Sequence, residues 1–226
     1  MAILESALTY RDAGLCILPA RLAEKRPALD GWKVFQSVLP NEQQVRTWCA
    51  QAQAICVVTG AVSGGAEMID FDAEGELFDA WRERVRREDP ALPDRLVIER
   101  TPSGGRHVAY RCKAEVSGNL KLAQRRVVVA GPEQVILYGK PYKPRKETDG
   151  TWAVIVTLIE TRGEGGLFLC APSPGYEPVQ GDLTKLPILE AREREVLLEA
   201  AWSFNEHWPQ AADPSPPQPS GMDGYR

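Results

Sequence analysis

Residues 66–75 read AEMIDFDAEG, an apolar run that carries two aspartates at its end before turning acidic and glycine-containing. In an extended strand residues two apart share a face, so Asp70 and Asp72 project side by side while Ile69 and Phe71 pack on the opposite side. Adjacent carboxylates repel unless a cation sits between them. Magnesium or manganese, which prefers carboxylate oxygen and water and bridges to phosphates, is the natural neutraliser. The competing reading is that Asp72 caps the following helix and Asp70 is merely exposed.

On the N-terminal side of this strand, Ile3, Leu4, Ala7 and Leu8 recur at helical spacing over residues 2–11, and Gly14 marks the stop. A short strand, LCILP, is followed by a loop, ARLAEKRPALDGW. NEQQVRTWCAQA then reads as a helix capped by Asn41, and AICVVTG as a strand ending at a glycine turn. On the C-terminal side, GELFDAWRERVRRED places Leu77, Phe78, Trp81 and Val85 on one apolar helix face. Beyond residue 95 the chain changes character. RLVIERTPS, RHVAYRC, RRVVVAG, EQVILYG, WAVIVTLIETRG and GLFLCAP are short β-rich runs separated by turns, which predicts a mainly antiparallel sheet. GEGG between Arg162 and Leu167 reads as a hairpin turn. A helix from Pro187 to about His207, using Leu189, Val196, Leu197 and Trp202, closes the domain. The fold class is therefore α+β, with an N-terminal α/β unit, flanking helices and one folded domain of two lobes over residues 1–207. Residues 208–226, rich in Pro and small polar side chains, read as a disordered linker to a further segment of a larger protein.

Composition narrows the function. The chain has 226 residues, is 43% apolar and carries a formal net charge of -4, which suits a folded domain and argues against a protein that coats nucleic acid by bulk charge. Positive charge is nevertheless clustered at EKRP, KLAQRR and GKPYKPRKE, the distribution that a groove for polyphosphate or a strand backbone needs. The arginines of WRERVRR read as a solvated helix face. No apolar run approaches the roughly 20 residues of a membrane span, and the start has no signal-peptide pattern, so a cytosolic protein without membrane contact is expected. Five cysteines, odd in number and without a CxxC pair, predict buried free thiols rather than disulfides or zinc.

Two further segments can carry chemistry. In TPSGGRHVAY, residues 101–110, the Ser103-Gly104-Gly105 loop can bring backbone N–H groups to an anion, with Arg106 and His107 opening the next strand. The plainer reading is a tight turn beside a structural histidine. In LIETRGEGG, Glu160 and Arg162 share a strand face, either as a third acid with a cation or as an internal ion pair. Three acids, a histidine and glycine loops on one sheet suit two-metal phosphoryl or nucleotidyl transfer.

AGLCILPARLAEKRPALDGW, VVTGAVSGGAEMIDFD, TPSGGRHVAYR and ETRGEGGLFLCAPS, in that order, resemble the N-terminal bifunctional primase–polymerase domain of the archaeo-eukaryotic primase superfamily, over roughly residues 5–180. The resemblance implies a core related to the RNA-recognition fold, and replication proteins of phages, plasmids and other mobile elements in a bacterial cell. It implies that Asp70, Asp72 and Glu160 hold two catalytic Mg2+ or Mn2+ ions and that His107 contacts the phosphates of the incoming nucleotide. The histidine motif here is Gly105-Arg106-His107, without a hydroxyl residue in its first position, and Glu160 stands where many relatives have Asp.

The implied activity is template-directed nucleotidyl transfer by a DNA primase or polymerase. Its partners would be a single-stranded DNA template and primer, an NTP or dNTP, and a C-terminal or separate helicase. Ser103, Gly104, Gly105, Arg106, His107, Arg162 and Lys33 are the expected nucleotide contacts, with Lys25 and Trp32 as secondary candidates. The rival readings are a metal-dependent nuclease or phosphohydrolase with the same acids, and a non-catalytic nucleic-acid-binding module.

Overall fold

The computed structural model describes residues 3–207; the expected linker at 208–226 lies outside the described residues. In chain order, α1 (Ile3–Asp12), β1 (Cys16–Arg21), the two-residue β2 (Arg26–Pro27), α2 (Glu42–Cys49) and β3 (Ala54–Val58) form the N-terminal unit. Next come β4 (Ala66–Phe71), α3 (Phe78–Glu88), the short α4 (Leu92–Arg95), β5 (Val97–Arg100) and β6 (Arg106–Cys112). A β-rich stretch follows with β7 (Lys121–Val129), β8 (Val135–Leu137), β9 (Lys140–Tyr142), β10 (Arg145–Lys146) and the long β11 (Trp152–Arg162). β12 (Leu167–Leu169), β13 (Glu177–Gln180), β14 (Ile188–Leu189) and α5 (Ala191–Trp202) complete the described chain.

The strands make two main sheets. The smaller runs β12-β3-β1-β2, and the larger runs β10-β11-β4-β6-β5-β13, with β7 also paired to β11 and β14 to β6. Every ladder is antiparallel except the short β14–β6 pair. This is the expected α+β class with a mainly antiparallel sheet. β8 and β9 form a separate hairpin.

Alternation along the strands decides what each face of the larger sheet meets. Ile69, Phe71, Val108 and Val156 point to α3 and α5, where they pack on Trp81, Val85 and Leu197. Phe71 lies 5.4 Å from the ring of Phe78 and 4.9 Å from that of Trp81, and the Trp81 indole N–H donates to the Leu197 carbonyl at 3.0 Å. On the opposite face Met68, Val97 and Ala109 meet Ile17, Ile55, Val57 and Phe168 of the smaller sheet. A capping box between Asn41 and Gln44 starts α2, as the sequence predicts. The five cysteines are buried and free.

Three local expectations are corrected. GEGG is not a hairpin turn: β12 pairs with β3, so these residues carry the chain from the larger sheet to the smaller one. The glycines are needed for close approach, since a Cβ on Gly163 would lie 2.0 Å from the Ser117 carbonyl oxygen and one on Gly166 would lie 2.6 Å from Asn119 Oδ1. The last helix starts only at Ala191, after Leu189 has paired with β6, and Trp202 is 44% exposed rather than part of its buried face. The loop after β1 contains β2 and a 3-10 turn over Trp32–Gln36.

Candidate active site

The site is built from one cross-strand row of the larger sheet. Asp70 on β4 lies opposite Glu160 on β11 and opposite His107 on β6; Glu160 in turn faces Lys121 on β7, and His107 faces Glu99 on β5. Residues directly opposite share a face, so all five side chains emerge on the side away from α3 and α5.

Glu160 reaches that side because β11 is bulged. The ladder to β7 steps from Thr157↔Gln124 to Ile159↔Ala123, so β11 inserts an extra residue. Leu158 and Ile159 are consequently both buried in the helix-side core, and the outward parity moves from Ile155 and Thr157 to Glu160 and Arg162. An uninterrupted strand would aim Glu160 into the core, so the bulge re-aims the side chain.

Ligand oxygens of Asp70, Asp72 and Glu160 lie within 4.8 Å of one another. Asp72 follows the last residue of β4 and its N–H donates to the Leu158 carbonyl at 3.0 Å. It precedes a 3-10 turn without capping it through its side chain, which removes the capping alternative. Its Oδ1 instead accepts from Lys140 Nζ at 2.6 Å. Arg162 Nη2 lies 2.5 Å from Glu160 Oε1 and 4.0 Å from Asp70 Oδ2. Burial first, then the repulsion of Asp72 and Glu160, pushes the Asp70 carboxyl up to about 7, against the pull of Arg162 and Lys140. An all-carboxylate set short of positive charge fits a hard divalent ion.

His107 flanks the acids, with Nε2 3.7 Å from Asp70 Oδ1. Its ring meets Phe168 edge-on at 5.5 Å and Tyr176 at 5.6 Å. Burial, followed by the nearby charges of Lys25 and Arg162, lowers its pKa to about 3, and the Leu169 backbone only partly offsets this. The imidazole is therefore neutral near pH 7. Its Nδ1 has no well-aligned hydrogen-bond partner.

Asp70, His107 and Arg162 open into a cavity of about 310 Å3, also lined by Lys25, Trp32 and Tyr176. The sequence candidates thus divide. Asp70, Asp72, Glu160, His107 and Arg162 converge, and Lys25 and Trp32 join them. Lys33 is exposed and does not line the cavity. Arg106, expected at the nucleotide, pairs with Phe71 in register and so takes the other face. Its guanidinium donates to the Gly104 and Gly105 carbonyls at 2.6 and 3.0 Å and lies over the Phe78 ring, so it braces the loop. Ser103 is exposed, with its Oγ 3.1 Å from Thr101 Oγ1. Gly105 packs against β4 so closely that a Cβ would lie 2.4 Å from the Phe71 carbonyl oxygen.

Lys140, Glu99 and Tyr176 are site residues that sequence spacing does not indicate. Lys140 belongs to a basic run noted in the sequence, but only the fold of the β8–β9 hairpin carries it to Asp72.

Residues 7–193 match the family model described as bifunctional DNA primase/polymerase, N-terminal. The chain belongs to that family. No curated protein matches the chain in sequence. The matched primase/polymerase region contains the whole acid row, His107 and Arg162. Family membership places the domain among enzymes of DNA priming and polymerisation, with nucleic acid and nucleotides as the substrate classes and a divalent metal as the implied cofactor. Among the described residues no helix is long and apolar enough to cross a membrane.

Proposed function

We propose that this primase/polymerase domain performs template-directed nucleotidyl transfer at the Asp70–Asp72–Glu160 centre. The observation that carries the reading is the convergence of these three acids, from the end of β4 and from β11, within 4.8 Å beside a cavity lined by Lys25, His107 and Arg162. In the reaction the 3′-oxygen of a primer, having lost its proton to water, bonds to the α-phosphorus of a nucleoside triphosphate. The bond from that phosphorus to the bridging oxygen breaks, and pyrophosphate leaves. Two divalent ions, when bound, supply acidification of the 3′-hydroxyl and neutralisation of the leaving charge.

The remaining work belongs to the chain. Asp70, Asp72 and Glu160 hold the metals. Arg162 and Lys140, which hold the acids together through short contacts, supply cations able to turn to the triphosphate, where charge-assisted contacts are the stronger kind. His107, kept neutral by burial, offers an N–H donor rather than a charge to a phosphate oxygen. Lys25 lines the mouth of the cavity, and Trp32 and Tyr176 give apolar walls against which a base can pack. Mobile-element origin and coupling to a helicase are further parts of this reading, supported by the resemblance alone.

Extension of a labelled primer on a single-stranded template, with magnesium or manganese, tests the proposal. The parent protein should extend the primer and release pyrophosphate only when both strands are present. Asp70→Asn should lower the rate at least about a hundredfold, because losing a metal ligand removes several kcal/mol of transition-state stabilisation. Release of nucleotides from the labelled strand, without extension, would instead identify a nuclease.

A further inference from the structure

Beyond the acid row, the exposed face of the larger sheet continues along β7, β11 and β10. The smaller sheet covers the neighbouring strands through Met68, Val97 and Ala109, whereas Gln124, Ile155 and Thr157 remain part-exposed. Thr157 lies opposite Gln124, and Glu160 opposite Lys121, on the parity that the β11 bulge creates. The face leading away from the metal-binding acids is therefore continuous, with no strand edge between.

That face deepens into a cleft of about 560 Å3, lined by Lys121, Gln124, Tyr142, Lys143, Arg145 and Lys146 among others. The four cations are exposed, and among the described residues none of them forms an ion pair. Their neighbours behave differently: Arg125 is engaged by Glu76 and Glu206, and Arg126 by Glu147, the acid that lines the same cleft. In a chain of net charge -4, four cations outside any described ion pair along one groove mark a site for an extended polyanion. Pro141 and Pro144 flank Tyr142 and Lys143, and proline fixes φ, so the lysine-bearing segment is held in shape before a ligand arrives. Tyr142, half-buried in the same wall and packed on the helix-side core, is a ring of the kind on which bases stack.

We propose that this cleft is the track along which the phosphate backbone of single-stranded DNA runs into the active site, with Lys121, Lys143 and Arg145 on its phosphates and Tyr142 under a base. The assignment rests on the nucleotidyl-transfer reading for its direction toward Glu160 and Asp70. The cleft lies outside the triphosphate cavity, so the strand and the nucleotide are held by separate sets of cations.

The test is binding of a fluorescent single-stranded oligonucleotide, followed by anisotropy across a salt series. Each lost phosphate contact reduces the log–log salt slope by about 0.7 for single strands. Lys143→Ala/Arg145→Ala should therefore flatten the slope by about 1.4 and weaken binding at low salt, while leaving Mn2+ affinity, nucleotide binding without DNA, and thermal stability unchanged. Arg84→Ala/Arg87→Ala on α3 makes the same change in net charge on the opposite side of the sheet and should leave the slope as it was. Equal losses from both variants would mean that DNA senses only overall charge, and would overturn the track. Parent-like binding and primer extension by Lys143→Ala/Arg145→Ala would overturn it too while leaving nucleotidyl transfer intact. A parent that binds single-stranded DNA through the cleft but never extends a primer would retain the track and refute the nucleotidyl-transfer reading.

Discussion

Glu99 is the acid of the cross-strand row that stands apart from the Asp70–Asp72–Glu160 cluster. It is 3% exposed, its Oε1 accepts from the Ala171 N–H at 3.1 Å, and its Oε2 has no hydrogen-bond partner. Burial raises its carboxyl from 4.5 to about 7, with the Ala171 hydrogen bond pulling the other way. The folded protein therefore keeps a proton that the unfolded chain releases above pH 4.5. Because the folded state binds more protons over this window, stability falls as pH rises from about 4.5 to 7 and then levels. Glu99→Gln removes the titrating group while keeping the Ala171 acceptor. In thermal melts of metal-free protein it should reduce this part of the pH dependence, leaving the share that Asp70 supplies, and stabilise the fold at pH 8 by about 1–3 kcal/mol. A parent whose melting temperature rises from pH 5 to pH 8, with Glu99→Gln unchanged from it, would show that this carboxyl ionises normally.

At the scale of elements, the loop between β5 and β6 shows why two adjacent glycines are not equivalent. Gly104 has φ +84 with ordinary space around it, the nearest atom to a built Cβ being 3.7 Å away. Alanine there costs the left-handed penalty of about 1–2 kcal/mol. At Gly105 the methyl would meet the backbone oxygen of Phe71, which belongs to the strand that carries Asp70. Backbone has nowhere to retreat without moving β4. Gly105→Ala should cost more stability than Gly104→Ala, about 2–3 kcal/mol, and should lower primer extension as well, because Asp70 and His107 sit on the two strands forced apart. Chemical denaturation of both variants, alongside extension assays, checks the order; equal losses would place the clash outside the β4–β6 contact. The β11 bulge belongs to the same scale: one extra residue settles whether Glu160 is a ligand or a misplaced core charge.

At the scale of the molecule, α5 is tied to the larger sheet by a buried charge. Glu67 on β4 is fully buried, and Arg194 on α5 donates to both of its oxygens, at 2.6 and 2.9 Å, while Tyr110 on β6 donates to Oε2 at 2.7 Å. Arg194 stands one residue beyond the matched family region, which ends at residue 193. Arg194→Met should destabilise the domain by about 3–5 kcal/mol, because it leaves an uncompensated carboxylate inside the sheet. Adding Glu67→Gln should restore much of that loss by removing the charge while leaving an amide for Tyr110. Urea melts of the single and double variants measure the coupling, and additive effects would mean that the pair does not anchor α5.

The amino-acid sequence by itself determined what short-range periodicity and residue chemistry control. The apolar run of residues 66–71 makes β4, which orients Asp70, and the Leu77, Phe78, Trp81 and Val85 face makes α3. Asn41 caps α2, and the pairing of Asp70 with Asp72, together with the later acid and histidine, marks the chemistry. Only the tertiary structure decided how these pieces meet. Lys140 reaches Asp72 across 68 residues, Arg106 turns to the loop instead of the cavity, and GEGG crosses between sheets because β12 finds its partner in β3. Such outcomes depend on which strands pair, in what register and with what bulge. Those are properties of contacts between distant segments, and local sequence carries no periodic trace of them.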